Sequence, residues 1–284
     1  AQSPAMPKAR EIPGHARLLD AWVPPSDAGA PVGCFATSFT FDSDFFQSEC
    51  LGRFAGFRYG ESDVERDLEW IIESEEKLSQ IKAVALVDRN HCNGEGRNPR
   101  WDLLCAQPAP GTILHAKLSL LIWARHVRLI IASANLTKPG YRSNRELFLT
   151  LEAGKDIALD RDAWSGALRY LQDCMTLARD QGHPGVLRAR ELFATAKRKI
   201  DALAFSAPDP ERTIRFHGLG PKRPDLCARL SGHWEEASGA VRSIYAISPF
   251  FDVNVDRAEK TRDALWGLAS KKGDIELQLR ARME

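Results

Sequence analysis

No apolar run in the 284 residues approaches the roughly 18 that a membrane-spanning helix requires. The N-terminal stretch AQSPAMPKAREIPG carries no apolar core region, so no signal peptide is visible in this form of the chain. A basic amphipathic helix with a large apolar face, the usual device for lying on a lipid surface, is missing too. The six cysteines, at 34, 50, 92, 105, 174 and 227, form no CxxC pair, and several sit in apolar or helical stretches as reduced cytosolic cysteines do. Net charge is nearly absent, since 39 basic and 38 acidic residues leave +1. These absences argue against a membrane protein, point to the cytoplasm, and identify no partner through bulk charge.

What is present is ordinary in amount and uneven in placement. Hydrophobic residues make up 44% and charged residues 27%, as in a soluble globular protein long enough for one large domain or two lobes. Residues 61–80 hold eight acids and two bases, whereas residues 187–229 hold ten bases and five acids. The basic stretch, including RARELFATAKRKI and IRFHGLGPKRPDLCARL, either faces a polyanion or is a solvated helix face followed by a basic loop.

Residues 1–30, rich in Ala, Pro and Gly, read as a loosely held arm. VGCFATSFTF from Val32 is strand-like and turns at Asp42-Ser43-Asp44 into a helix beginning near Phe45. A helix over 62–79 with Ser62 or Asp63 as N-cap, a short apolar strand over 82–88, and the polar loop RNHCNGEGRNPR follow. Strands are expected over 112–123, 127–134 and 145–152, then helices over 161–180 and 188–205. The first helix would bury Trp164, Leu168, Leu171 and Met175. Residues 206–230 read as a connection between lobes. The whole predicts an α/β fold, a layered mixed β-sheet flanked by helices. CFATSFTFDSDFF (34–46) with KAVALVDRN (82–90) is echoed by IYAISPFFDVNV (244–255) with DIELQLRAR (274–282), which suggests a duplicated unit whose second copy begins within 231–284.

The stretch TILHAKLSLLIWARHVRLIIASANLT (112–137) places polar groups in segments otherwise built for burial. Burying an imidazole, an ammonium and an amide without partners costs several kcal/mol. Alternation along a strand puts His115, Lys117, Ser119 and Leu121 on one face, and Ser133 and Asn135 share a face at the end of the next strand. Glu146 opens the third, on the face opposite Leu147, Leu149 and Leu151. If the three strands are neighbours, five polar groups gather around one point. A neutral imidazole attacks phosphorus when a carboxylate holds its other nitrogen. Lys117, Ser133 and Asn135 would then hold the non-bridging oxygens where charge develops, and no metal or other cofactor is required.

An H-x-K followed at fixed distance by a serine and an asparagine resembles the phospholipase D superfamily, which includes the HKD-family nucleases and the tyrosyl-DNA phosphodiesterases. The resemblance is specific over about 112–152 and looser over 33–60, where FTFDSDFF is similar to the opening of bacterial HKD-family nucleases. It implies a phospholipase D-like repeat over 31–205 and the start of a second. The aspartate usual in the motif falls at Ile122, and the glycine before the serine is Ala132. Tyrosyl-DNA phosphodiesterases also lack that aspartate and have a long His-to-Asn separation, similar to the 20 residues here. Glu146, 11 residues after Asn135, looks like the glutamate that supports the histidine in the small dimeric endonucleases of the superfamily.

Superfamily members pair two such motifs, one histidine attacking and the other protonating the leaving oxygen. The other histidines here, at 15, 91, 126, 183, 217 and 233, lie in no H-x-K, and His91-Cys92 has no second cluster at metal-ligand spacing. The second motif is expected from a C-terminal continuation or, second in rank, from a homodimer. The expected function is a metal-independent phosphodiesterase acting on nucleic acid, DNA ahead of RNA, through a phosphohistidine. A phospholipase or phosphatidyl transferase, and a non-catalytic nucleic-acid-binding or regulatory module, are the alternatives.

Overall fold

The computed structural model describes residues 17–57, 64–92, 100–153, 161–203, 205, 216–220, 223, 226, 228–230, 243–247, 263 and 276–280. The chain divides into two compact units, residues 1–215 and 216–284.

The first unit is organised by apolar runs that become adjacent strands. β1 (Pro31–Ser38), β2 (Lys82–Asp88) and β3 (Asp102–Ala106) run in parallel, and β4 (Leu118–Trp123), β5 (Val127–Ala132) and β6 (Phe148–Ala153) form an antiparallel meander on the other side of β1. The sheet order is β3-β2-β1-β4-β5-β6. The expected layered mixed sheet flanked by helices is therefore what the chain forms.

Both faces of the sheet are covered, which is why β1, β2 and β4 read as continuous apolar runs rather than alternating ones. Successive side chains of β1 go to opposite layers. Phe35 packs edge-on against Phe193 of helix α6 (Pro184–Asp201), 4.9 Å between ring centres. Cys34 and Ala36 instead join the core with Trp22, Phe46, Phe54 and Trp123. That second layer is built from a 3-10 turn (Leu18–Trp22), α1 (Ser43–Phe45), a π-helical turn (Phe46–Leu51) and α2 (Gly52–Ala55). Gly33 lets β1 and β2 approach, because a Cβ there would lie 2.2 Å from the Lys82 carbonyl oxygen. α3 (Val64–Ser79), α4 (Lys138–Arg142) and α5 (Arg161–Met175) complete the unit. Arg188 of α6 clamps Asp102 at the start of β3 through both of its carboxylate oxygens.

Several sequence expectations change. Part of the expected arm is packed: Leu18, Leu19 and Ala21 are buried, and Trp22 is fully so. Residues 1–16, and the expected caps Ser62 and Asp63, lie outside the described residues. The strand expected over 112–123 joins the ladder only at Leu118. The helices end at Met175 and Asp201, earlier than expected, while Trp164, Leu168, Leu171 and Met175 are buried as expected.

The reading of the cysteines as reduced is corrected at two positions. Cys92 and Cys105 form a disulfide that closes the polar loop between β2 and β3. Which cysteines meet was not readable from spacing, because Cys92 must fold back from the end of one strand over its parallel neighbour. Cys34, Cys50 and Cys174 are buried and form no disulfide, and burial pushes the thiols of Cys34 and Cys50 up. With two of six joined, the cysteines no longer argue for a reducing compartment. Among the described residues no helix is long and apolar enough to cross a membrane.

In the second unit, β7 (Ser243–Ile247) pairs in parallel with β8 (Glu276–Arg280). Most of the connection expected over 206–230 lies outside the described residues.

Candidate active site

The site forms where β1, β2 and β5 end, and it begins with a buried carboxylate. Asp88, the last residue of β2, is 0% exposed. Its Oδ1 accepts from Asn90 N–H (3.0 Å) and its Oδ2 from the buried Leu114 N–H (2.8 Å). A buried carboxylate needs such donors to offset the loss of water. These two fix the turn after β2 and the extended segment that carries His115.

That segment reaches the sheet at Lys117, whose carbonyl accepts from Ala132 N–H (3.0 Å) of β5. Leu118 N–H donates to Thr37 Oγ1 (3.0 Å), locking the start of β4 against β1. The Lys117 side chain is shut in, with the residue 9% exposed, and its Nζ donates to the His115 carbonyl (2.9 Å). Burial pulls its pKa down to about 8, against the opposing pull of the Glu146 charge. His115 is exposed at the rim. Partial burial and then the Lys117 charge hold its imidazole below the ordinary histidine pKa, with the Asp88 charge working the other way. The ring is therefore neutral near pH 7, the form that can act as a nucleophile.

Asn135 is oriented by the backbone that leaves β1. Its Oδ1 accepts from the N–H groups of Phe39 (3.2 Å) and Thr40 (3.3 Å). Two backbone donors on one side of a carboxamide decide which end is oxygen, which leaves the Nδ2 hydrogens as donors. The chain around Asn135 is itself held: Leu136 N–H donates to Ser38 Oγ (2.9 Å), and Phe41 and Leu136 form an isolated parallel bridge. Thr137 then caps α4 by accepting from Gly140 N–H (3.2 Å). Gly140 fits against Asn135 only because it has no side chain, since a Cβ there would lie 2.6 Å from the Asn135 carbonyl oxygen.

Phe39 gathers these groups. Its ring lies 5.1 Å from that of His115 and 4.4 Å from that of His91, and the Lys117 Nζ sits 5.9 Å from its centre. With its own N–H on Asn135, this residue touches His115, Lys117 and Asn135. Sequence reading missed Phe39, Asp88 and His91 as parts of the site. Only the run FTFDSDFF hinted at the first, because which residues meet where parallel strands end depends on the crossovers.

Ser133 and Glu146 form an adjoining cluster. The Ser133 hydroxyl donates to the Glu146 carboxylate and accepts from Leu147 N–H (3.0 Å), and Asn144 Nδ2 donates to Glu146 Oε1 (3.2 Å). Glu146 reaches Lys117 through its charge. Among the described residues no hydrogen bond joins it to His115. Ile122, at the position of the superfamily's aspartate, is fully buried in β4. The described cations of the basic stretch largely engage their own chain: Arg188 holds Asp102, Lys197 meets Asp201, and Lys199 donates to the Ala124 carbonyl (2.5 Å). Among the described residues no group of three or more His, Cys, Asp or Glu side chains could hold a metal, and Cys92 is committed to its disulfide.

No family model matches the chain, and no curated protein matches it by sequence. Solved structures do. The likeness is to yeast tyrosyl-DNA phosphodiesterase. One structure of that enzyme is 12% identical, covering 64% of this chain and 37% of its own, with a TM-score of 0.37. A histidine-to-alanine mutant of it is 12% identical over 85% of this chain and 52% of its own, with a TM-score of 0.48. A histidine-to-asparagine mutant is 11% identical over 81% and 48%, with a TM-score of 0.46. The chain thus spans about half or less of the length of these structures. A likeness of this size leaves the chemistry to be argued from the side chains themselves.

Proposed function

We propose that this chain carries one half-site of a phospholipase D-type phosphodiesterase that acts on nucleic acid, DNA ahead of RNA. The observation that carries the reading is the meeting of a neutral imidazole, a sequestered amine and an oriented amide around Phe39. One His115 ring nitrogen attacks phosphorus in line with the leaving oxygen, so a P–N bond forms as the P–O ester bond breaks. Lys117 and the Asn135 N–H donors hold the non-bridging oxygens, where the transition state gathers charge. Water then attacks the phosphohistidine, restoring the imidazole and releasing the phosphate product. Ser133, whose proton goes to Glu146 in the unliganded site, turns toward phosphate when one is bound, and Glu146 sustains the charge on Lys117.

The leaving oxygen must take a proton, and a second histidine motif supplies it. A second repeat is its source, in preference to a homodimer. The parallel pairing of β7 with β8, in the order and sense of β1 with β2, supports that choice. This half-site then binds phosphodiesters and needs the second motif to turn over.

The test is cleavage of single- and double-stranded DNA and RNA in the presence of EDTA, by the chain together with a second-repeat continuation. Activity should survive chelation, fall by about a thousandfold or more in His115→Ala, and leave an acid-labile phosphoenzyme in single-turnover quenching. Equal cleavage by the mutant would remove His115 from the mechanism. Release of headgroup from lipid vesicles without nucleic-acid cleavage would move the substrate to lipid.

A further inference from the structure

Two imidazoles, not one, pack against Phe39. His91 lies edge-on to the ring at 4.4 Å and His115 is tilted against it at 5.1 Å, so the two imidazole centres are separated by no more than the sum of those spans.

The placement of His91 is built from the same parts as that of His115. Its N–H donates to the Asp88 carbonyl (2.9 Å), while the Asp88 carboxylate holds Asn90 N–H on one oxygen and Leu114 N–H on the other. One buried residue therefore anchors both backbone segments that bring an imidazole to Phe39. On the far side, Cys92 is joined to Cys105 of β3, and Arg89 N–H donates to the Ala106 carbonyl (3.0 Å). His91 is thus fixed between a strand end and a covalent link, a degree of constraint unusual for a half-buried residue in a glycine-containing loop. Packing of an imidazole edge on a phenyl ring does not call for that constraint. Presenting a ring N–H at a fixed point on Phe39, the residue that also meets Lys117 and Asn135, does.

We propose that His91 is a phosphate-contacting residue of this site, donating a hydrogen bond to a non-bridging oxygen of the bound phosphodiester, and that the Cys92–Cys105 disulfide holds it in place. The proposal rests on the phosphodiesterase reading given above. It assigns His91 to ground-state binding, leaving attack to His115 and protonation of the leaving group to the second motif. It also makes phosphate affinity depend on the redox state of the loop.

The experiment is equilibrium binding of a fluorescein-labelled single-stranded DNA oligonucleotide to the full chain, oxidised and reduced, with thermal melts as a check on folding. Dithiothreitol serves as reductant; it supplies two electrons and two protons, gives the two thiols, and closes to its own cyclic disulfide. His91→Phe keeps an aromatic ring on Phe39 and removes the N–H donor, whereas His91→Gln keeps a donor. His91→Phe should bind about tenfold more weakly or worse, and His91→Gln should recover most of that loss. Reduction, or the pair Cys92→Ser with Cys105→Ser, should weaken the native protein by a similar factor and leave His91→Phe unchanged, the signature of two changes acting through one contact. Native affinity in His91→Phe, or failure of His91→Gln to recover it, overturns the role of His91. Equal weakening of both proteins by reduction overturns the part given to the disulfide. Lys117→Ala separates these results from a failure of the underlying reading: if it too binds at native strength, phosphate does not bind at this site at all.

Discussion

At the scale of single residues, the site sets two opposite requirements a few ångströms apart. In the proposed mechanism His115 must be neutral to attack, and Lys117 must be charged to bind. Partial burial and the Lys117 charge favour neutral His115. Burial works against the charge on Lys117 and leaves its pKa at about 8. Phosphodiester cleavage should therefore rise with pH through a limb below the ordinary histidine value, where His115 loses its proton. It should fall as pH rises through about 8, where Lys117 loses its own. Glu146 supplies the charge that keeps Lys117 protonated, so Glu146→Gln should move the upper limb to lower pH and leave the lower limb in place. A pH profile of kcat/KM for the two proteins checks this, and an upper limb unmoved by the substitution would separate Glu146 from Lys117.

At the scale of elements, precision comes from backbone contacts that no side-chain pattern announces. Asn135 owes its orientation to the chain leaving β1 and its position to Gly140 of α4, whose Cβ would meet the Asn135 carbonyl at 2.6 Å. Gly140→Ala should improve the intrinsic helix propensity of α4 and still push Asn135 out of register. The expected outcome is a loss of tenfold or more in kcat/KM, with a stability cost of about 1–3 kcal/mol by urea denaturation. A variant with native kcat/KM would show that the loop absorbs the methyl group without moving the amide.

The same contacts explain what was legible in the sequence and what was not. α5 and β2 follow from local rules: Trp164, Leu168, Leu171 and Met175 recur at helical spacing, and KAVALVD carries the unbroken apolar run AVALV. His115, Lys117 and Asn135 could be singled out by type and order, and the structure brings them together at Phe39. The lead-in to β4 was not legible. Its apolar alternation reads as strand, yet Leu114 gives its N–H to Asp88 and Lys117 turns its amine back onto the His115 carbonyl. Trp22 was hidden for a different reason, since composition marks residues 1–30 as loop while burial of a single large ring decides how they pack. The disulfide and the contacts of Phe39 depend on tertiary placement alone.

At the scale of the whole chain, everything that binds phosphate in this scheme lies in the first unit. His115, Lys117, Asn135, Ser133 and Glu146 fall within residues 1–215, as does every buried hydrophobic side chain among the described residues. A sheet covered on both faces has no need of a further layer to keep water from its core. The fragment 1–215 should therefore melt in a single cooperative transition. It should also bind single-stranded DNA with an affinity that falls steeply with salt, as contacts to a polyanion require. It should not turn over, because nothing in the scheme lets this unit protonate the leaving oxygen. Circular dichroism melts, salt titrations of oligonucleotide binding and a multiple-turnover assay read the three outcomes separately. A broad, non-cooperative melt would make residues 216–284 part of the same folding unit. Sustained cleavage by the fragment would show that one motif suffices, and the acid would then have to be sought among the groups already gathered around Phe39.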